Sequence, residues 1–219
     1  MSLPNPIRKP LLCYVTDRHA VCPSSENSQQ QLLEKIETAA RAGIDWIQIR
    51  EKDLSGRELS TFATRAAQRA SPRTRILVND RLDIAWANGA AGVHLGEQGI
   101  SVAEAVRFCK ERNVQREFLV GASVHSLEAA LAAERDGASY IVFGPIFATP
   151  SKAAYGKPHG LERLAEVCGR ISIPVLAIGG ITLENAGSCL QAGAHGIAAI
   201  RLFQDAQDLP RLMEKLRGL

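Results

Sequence analysis

Eight times along 219 residues a short apolar run of strand-forming composition is followed by a stretch with helical spacing of its apolar residues. This alternation restricts the fold more than any other feature. The runs fall at 11–16, 45–50, 76–78, 92–95, 118–123, 140–143, 174–178 and 196–200. Several are apolar throughout, as in Leu11-Leu12-Cys13-Tyr14-Val15, which suits a strand covered on both faces. Helical patterns run over 29–41, 56–70, 82–87, 126–137, 161–169, 182–192 and 209–217, and Ser101 with Glu104 forms a capping box that opens one more. That order in a chain of this length predicts an α/β fold, a (β/α)8 TIM barrel, over 11–219. An open doubly wound sheet would carry a glycine-rich turn after its first strand, and Thr16-Asp17-Arg18-His19 has no glycine. Residues 1–10, with three prolines and no apolar stretch, are expected to form a disordered arm rather than a signal or membrane segment.

The chain is 46% hydrophobic and 22% charged, an ordinary balance for a single globular core. Its net charge of +3 is spread without a run of Lys or Arg. No nucleic-acid stripe and no membrane-surface helix is therefore expected. The five cysteines, Cys13, Cys22, Cys109, Cys168 and Cys189, lack CxxC or metal-ligand spacing and read as reduced residues of a cytoplasmic protein. The sequence is compatible with a homo-oligomer and does not set the number of copies.

In such a barrel, ligands meet the carboxyl ends of the strands. The second run, Ile47-Gln48-Ile49-Arg50-Glu51-Lys52-Asp53, begins as a strand and gathers charge only at that end. The shared rim would collect Gln48, Arg50 and Lys52, then Asn79 and Asp80, Glu97, Ser123 and His125, and Thr149, Ser151 and Lys152. Cations with carboxylates and hydroxyls suit a diphosphate bound with Mg²⁺, which takes one or two carboxylates together with phosphate oxygens. Asp80 also has a plainer reading, as a cap for the helix that follows. Gly179-Gly180 after the seventh run fits a phosphate held by backbone N–H groups, or simply a tight turn with positive φ. Two phosphorylated small molecules side by side are the expected ligands.

Gln48 to Lys52, Asn79-Asp80, Gly92-Val93-His94-Leu95-Gly96, the segment 144–152 (GPIFATPSK) and Ala177-Ile178-Gly179-Gly180-Ile181 together resemble thiamine phosphate synthase. The resemblance spans nearly the whole chain. It implies a transferase that joins a hydroxymethylpyrimidine diphosphate to a thiazole phosphate and releases pyrophosphate. It would give the diphosphate to Arg50, Lys52 and Lys152, Mg²⁺ to Asp80, and the pyrimidine to Gln48 and Asn79. Ser123 would lie against the departing diphosphate. Thr149 and Ser151, with Gly180 and the Ile200-Arg201 turn, would hold the thiazole phosphate. Ile49, Glu51 and Pro150 stand in the same motifs and count as expected substrate contacts.

Three positions depart from the family pattern. Gly99 stands where a second magnesium carboxylate is usual, leaving the neighbouring Glu97 as the substitute ligand. Arg201 replaces a serine in the eighth-strand turn, either as a charged fork on phosphate or turned outward. Ser151 replaces a threonine and keeps the hydroxyl. The stretch Ser123-Val124-His125-Ser126 is similar to that of thiazole tautomerases, the related branch in which a histidine there acts as acid/base. A tautomerase is thus the alternative activity, and a barrel that binds phosphorylated ligands without chemistry is a second. His94 reads as packed and hydrogen-bonded.

Overall fold

The computed structural model describes residues 9–21, 27–112, 117–149 and 157–219. Most of the expected arm, Cys22 and the expected ligand residues Pro150, Ser151 and Lys152 lie outside them. Eight strands, β1 (Leu11–Val15), β2 (Trp46–Ile49), β3 (Arg75–Asn79), β4 (Gly92–Leu95), β5 (Leu119–Val124), β6 (Tyr140–Phe143), β7 (Val175–Ile178) and β8 (Gly196–Ala199), pair in parallel in chain order. β8 returns to β1, so the barrel is closed. The expected (β/α)8 architecture is the one observed.

The helices are α1 (Arg18–Val21), α2 (Ser28–Arg41), α3 (Gly56–Arg69), α4 (Leu82–Ala87), α5 (Val102–Glu111), α6 (Leu127–Arg135), α7 (Gly160–Arg170), α8 (Leu183–Gln191), α9 (Arg201–Gln204) and α10 (Leu209–Arg217). The Ser101–Glu104 capping box opens α5 as expected, and Ser126 caps α6 by accepting from the Ala129 N–H. The sequence did not predict α1 and α9. Each is four residues long, too short to display a helical period.

Strand alternation divides the core in two. Cys13, Val15, Trp46, Leu77, Leu119, Tyr140, Val142, Leu176 and Ala198 fill the barrel interior. Leu12, Tyr14, Ile47, Ile49, Val78, Val93 and Ile141 face the helices and pack beneath them. Each large side chain buried this way contributes about 1.5–3 kcal/mol. The register then fixes one level near the top of the barrel: Asn79 lies opposite His94, His94 opposite Gly121, and Gly121 opposite Tyr140.

At the opposite end, Arg217 of α10 donates to the carbonyls of Pro10 and Gly43 and to the Asp45 carboxylate (2.7 Å). Among the described residues no helix is long and apolar enough to cross a membrane. Cys13, Cys109, Cys168 and Cys189 are free thiols. Burial pushes Cys13 up to about 12 and both Cys168 and Cys189 up to about 11, so none of these three is a thiolate near neutral pH.

Candidate active site

The β2 end is held by two acids bonded to residues just beyond β1. Thr16 at the end of β1 donates its hydroxyl to Glu51 (2.5 Å) and accepts the Arg50 N–H (3.0 Å). Arg18 gives its backbone N–H and its guanidinium to Glu51, both at 3.1 Å, and forks onto Asp53 at 2.6 and 2.5 Å. The carboxyl of Asp53 consequently stays far below the usual carboxylate range, held there by Arg18 and then by His19. Glu51 is only 4% exposed, so its carboxylate is committed to the clamp. The Arg50 guanidinium and the Lys52 ammonium form no hydrogen bond or ion pair among the described residues. Removing Arg18 strands a buried carboxylate, which typically costs about 3–5 kcal/mol. Arg18→Met is expected to lower the urea midpoint accordingly, and an unchanged midpoint would show that water solvates Glu51 instead.

A second chain of hydrogen bonds crosses from β2 to β4. Gln48, 3% exposed and on the inner face, donates to Asn79 (2.8 Å), and Asn79 donates to Asp80 (2.6 Å). The other oxygen of Asp80 accepts the Gly96 N–H at 2.7 Å. Asp80 has φ +59°, the left-handed region that non-glycine residues seldom occupy. The helix-cap reading of Asp80 does not hold, since Arg81 is the N-cap of α4 and receives no side-chain cap bond. Two carboxylate lone pairs are taken, which leaves acceptor capacity for a further ligand.

Below the mouth, His94 bridges Ser123 and Tyr140: Nε2 lies 2.9 Å from the serine Oγ and Nδ1 lies 3.0 Å from the phenol oxygen. Burial pushes this histidine down from 6.5 to about 4, with Asp80 opposing the shift and Arg50 adding to it. The unfolded chain binds the proton below pH 6.5 and the native state only near pH 4. The unfolded state therefore holds more protons in this window, and stability falls as pH is lowered through it, by on the order of 3 kcal/mol. Urea unfolding of the metal-free protein at pH 7 and pH 4.5 should show that loss, and His94→Gln should reduce it. A pH dependence identical in the two proteins would mean that His94 titrates normally.

His125 follows β5 and donates from Nδ1 to the Gly144 carbonyl, since a carbonyl can only accept. Its Nε2 faces Glu97 at 3.9 Å, and its ring stacks near His159, which in turn stacks on Phe143. Glu97 is exposed and turned toward His125. Among the described residues no three His, Cys, Asp or Glu side chains converge as a metal cage. Gly179 and Gly180 have φ +96° and +64°, and a Cβ on Gly180 would come within 2.6 Å of the Ala148 carbonyl oxygen. The turn is thus required by the close approach of the β6 loop, whatever else its N–H groups do. Ile200 lies against the inner cluster, while Arg201 is exposed and borders a shallow groove with Asp205 and Arg211. Of the two orientations open to Arg201, the outward one is observed.

The Ile49 side chain is fully buried under the helices and the Glu51 carboxylate is bonded to Thr16 and Arg18, so a substrate contact at either residue would come from its backbone. Two residues that sequence reasoning passed over, Arg18 and Tyr140, support the rim from outside the motifs.

The family model for thiamine monophosphate synthase matches residues 14–203. The chain belongs to that family. A thiamine-phosphate synthase of Chlorobium luteolum is 39% identical over 208 residues, covering 93% of this chain and 89% of the relative. Another, of Methanoculleus marisnigri, is 42% identical over 180 residues, 82% of this chain and 83% of its own length. Among solved structures, a thiamine phosphate pyrophosphorylase from Pyrococcus furiosus superposes with a TM-score of 0.80 at 33% identity, over 97% of this chain and 96% of that one. A 3-hexulose-6-phosphate synthase, at 18% identity and TM-score 0.68, shares the barrel alone. Membership of the thiamine monophosphate synthase family makes the chain a transferase of thiamine biosynthesis. The alternative of a barrel without chemistry gives way to it.

Proposed function

We propose that this mouth couples hydroxymethylpyrimidine diphosphate to thiazole phosphate with release of pyrophosphate. The observation that carries the reading is the Gln48–Asn79–Asp80 hydrogen-bond chain, together with an Arg50 guanidinium that is unpaired among the described residues at the end of the same strand as Gln48. Breaking the carbon–oxygen bond puts negative charge on the diphosphate and positive charge on the pyrimidine methylene. Arg50 and Lys52, carried on backbone that is held before substrate arrives, stabilise the first; Lys152 joins them on the strength of the family motif. Gln48 and Asn79 orient the pyrimidine, and Ser123 lies against the leaving group. Thr149, Gly180 and the Ile200-Arg201 backbone, with Ser151, hold the thiazole phosphate so that its nitrogen meets the methylene without a search.

Asp80 suits Mg²⁺ as a hard oxygen ligand at a site completed by the substrate's own phosphate oxygens. The metal would supply charge neutralisation of the departing diphosphate. A Cβ on Gly99 would lie 3.4 Å from the Asp80 Oδ1, an ordinary contact. Gly99→Asp would therefore put a second carboxylate beside the first. The Mg²⁺ concentration for half-maximal coupling is expected to fall about tenfold, because ligand charge sets affinity at such sites; an unchanged or higher requirement would count against Asp80 as the ligand.

The test of the whole reading is purified protein with both precursors, with and without Mg²⁺, assayed for thiamine phosphate and pyrophosphate. Formation of both products is expected. The Nε2 of His125, which makes no hydrogen bond among the described residues and faces Glu97 at 3.9 Å, keeps one competing outcome in the design: isomerisation of a thiazole carboxylate phosphate that depends on His125, with no coupling, would assign the tautomerase chemistry instead.

A further inference from the structure

We infer that Tyr140 and His94 are positioning residues that set the direction of the Ser123 hydroxyl proton, making Ser123 a donor to the leaving diphosphate. The inference rests on the reading of Ser123 as the residue against that group. Three polar groups stand in line, Tyr140 OH to His94 Nδ1 at 3.0 Å and His94 Nε2 to Ser123 Oγ at 2.9 Å. Their protons have two possible directions. The Tyr140 side chain is buried, and its hydroxyl has no other hydrogen-bond partner among the described residues. A buried hydroxyl proton without an acceptor is expensive, so the phenol donates to Nδ1. His94 is buried and no carboxylate is hydrogen-bonded to its ring, so the imidazole is neutral and carries its single proton on Nε2. Ser123 accepts that proton's hydrogen bond. Its own O–H is then directed away from His94, leaving it to donate to a bound anion. The reverse direction would leave the tyrosine proton unpaired and turn the serine oxygen's lone pairs toward an anionic substrate.

The fold holds this line rigidly. Tyr140 packs on Trp46 with ring centroids 4.6 Å apart, and its ring crosses the strand between it and His94 at Gly121. A Cβ at Gly121 would lie 2.0 Å from a ring carbon of Tyr140, so glycine alone leaves that path open. No proton is transferred in this scheme. The relay selects one rotamer of a hydroxyl, as a preorganised donor requires.

The closing experiment pairs ¹⁵N NMR of histidine-labelled protein with steady-state kinetics. In the wild-type protein His94 is expected as the Nε2–H tautomer. Tyr140→Phe should lower kcat about tenfold with little change in either KM, as when a donor acts only in the transition state. Combined with Ser123→Ala, Tyr140→Phe should add no further loss. An Nδ1–H tautomer in the wild-type protein, or a Tyr140→Phe loss that persists without the serine hydroxyl, overturns the inference. The tautomer decides the matter by itself where Tyr140→Phe fails to fold. Full activity in Ser123→Ala would sink the reading of Ser123 along with it, whereas an inactive Ser123→Ala with an Nδ1–H tautomer sinks this inference alone.

Discussion

Coupling is expected to fall by about 10³-fold or more in Asp80→Asn, and chelation of Mg²⁺ should reduce the wild-type enzyme to a similar level. Asparagine is the informative replacement. Asp80 sits at φ +59°, and asparagine accepts that conformation, whereas alanine would add about 1–2 kcal/mol of backbone strain to the loss of charge. The amide oxygen keeps the acceptor for the Gly96 N–H, which holds the loop, while its NH2 replaces the oxygen that accepted from Asn79, so that contact is restored only when the Asn79 and Gln48 amides turn over. What disappears is the anionic oxygen. Pyrophosphate release measured across a Mg²⁺ titration should show a partial return of activity at high metal concentration. Activity within threefold of wild type at every concentration would remove Asp80 from the metal site.

Arg50→Ala is expected to lower kcat by about 10²–10³, the usual consequence of losing one preorganised donor at a developing charge. The variant should unfold at the wild-type denaturant concentration, because the guanidinium has no hydrogen-bond or ion-pair partner to lose among the described residues. Arg50→Lys should fall between the two, keeping the charge and losing the two-pronged geometry that matches phosphate oxygens. Rates within twofold of wild type in Arg50→Ala would exclude it from the reaction. This contrast with Arg18, where the larger effect belongs to stability, follows from where each guanidinium ends: one against the buried Glu51 carboxylate and the exposed Asp53, the other against no carboxylate among the described residues.

The barrel was legible because strands buried on both faces must be largely apolar along their length, and β1, β6 and β7 read that way unaided. The short helices α1 and α9 were not, since a single turn leaves no period in the sequence. At the site, the Gln48–Asn79–Asp80 trio could be gathered from strand ends, but its hydrogen bonding and the left-handed φ of Asp80 could not. Glu51 and Ile49 were drawn toward the ligand by sequence adjacency to Arg50. Only the fold shows the Ile49 side chain packed under the helices and the Glu51 carboxylate engaged by Thr16 and Arg18, because a motif does not record which face each side chain takes. Tyr140 was invisible for a different reason: it lies 46 residues from His94 in sequence, and nothing but barrel register brings them level.

The clamp of Thr16, Glu51, Arg18 and Asp53 also bears on the thermodynamics of binding. A loop that presents two free cations beside each other would ordinarily be loose until an anion arrives, and its ordering would be charged against affinity as lost conformational entropy. Here the backbone carrying Arg50 and Lys52 is already fixed, because Thr16 at the end of β1 accepts the Arg50 N–H and the buried Glu51 receives hydrogen bonds from Thr16 and from Arg18 of α1. Diphosphate binding on this side is left to order two side chains, and its enthalpy is offset by correspondingly little entropy.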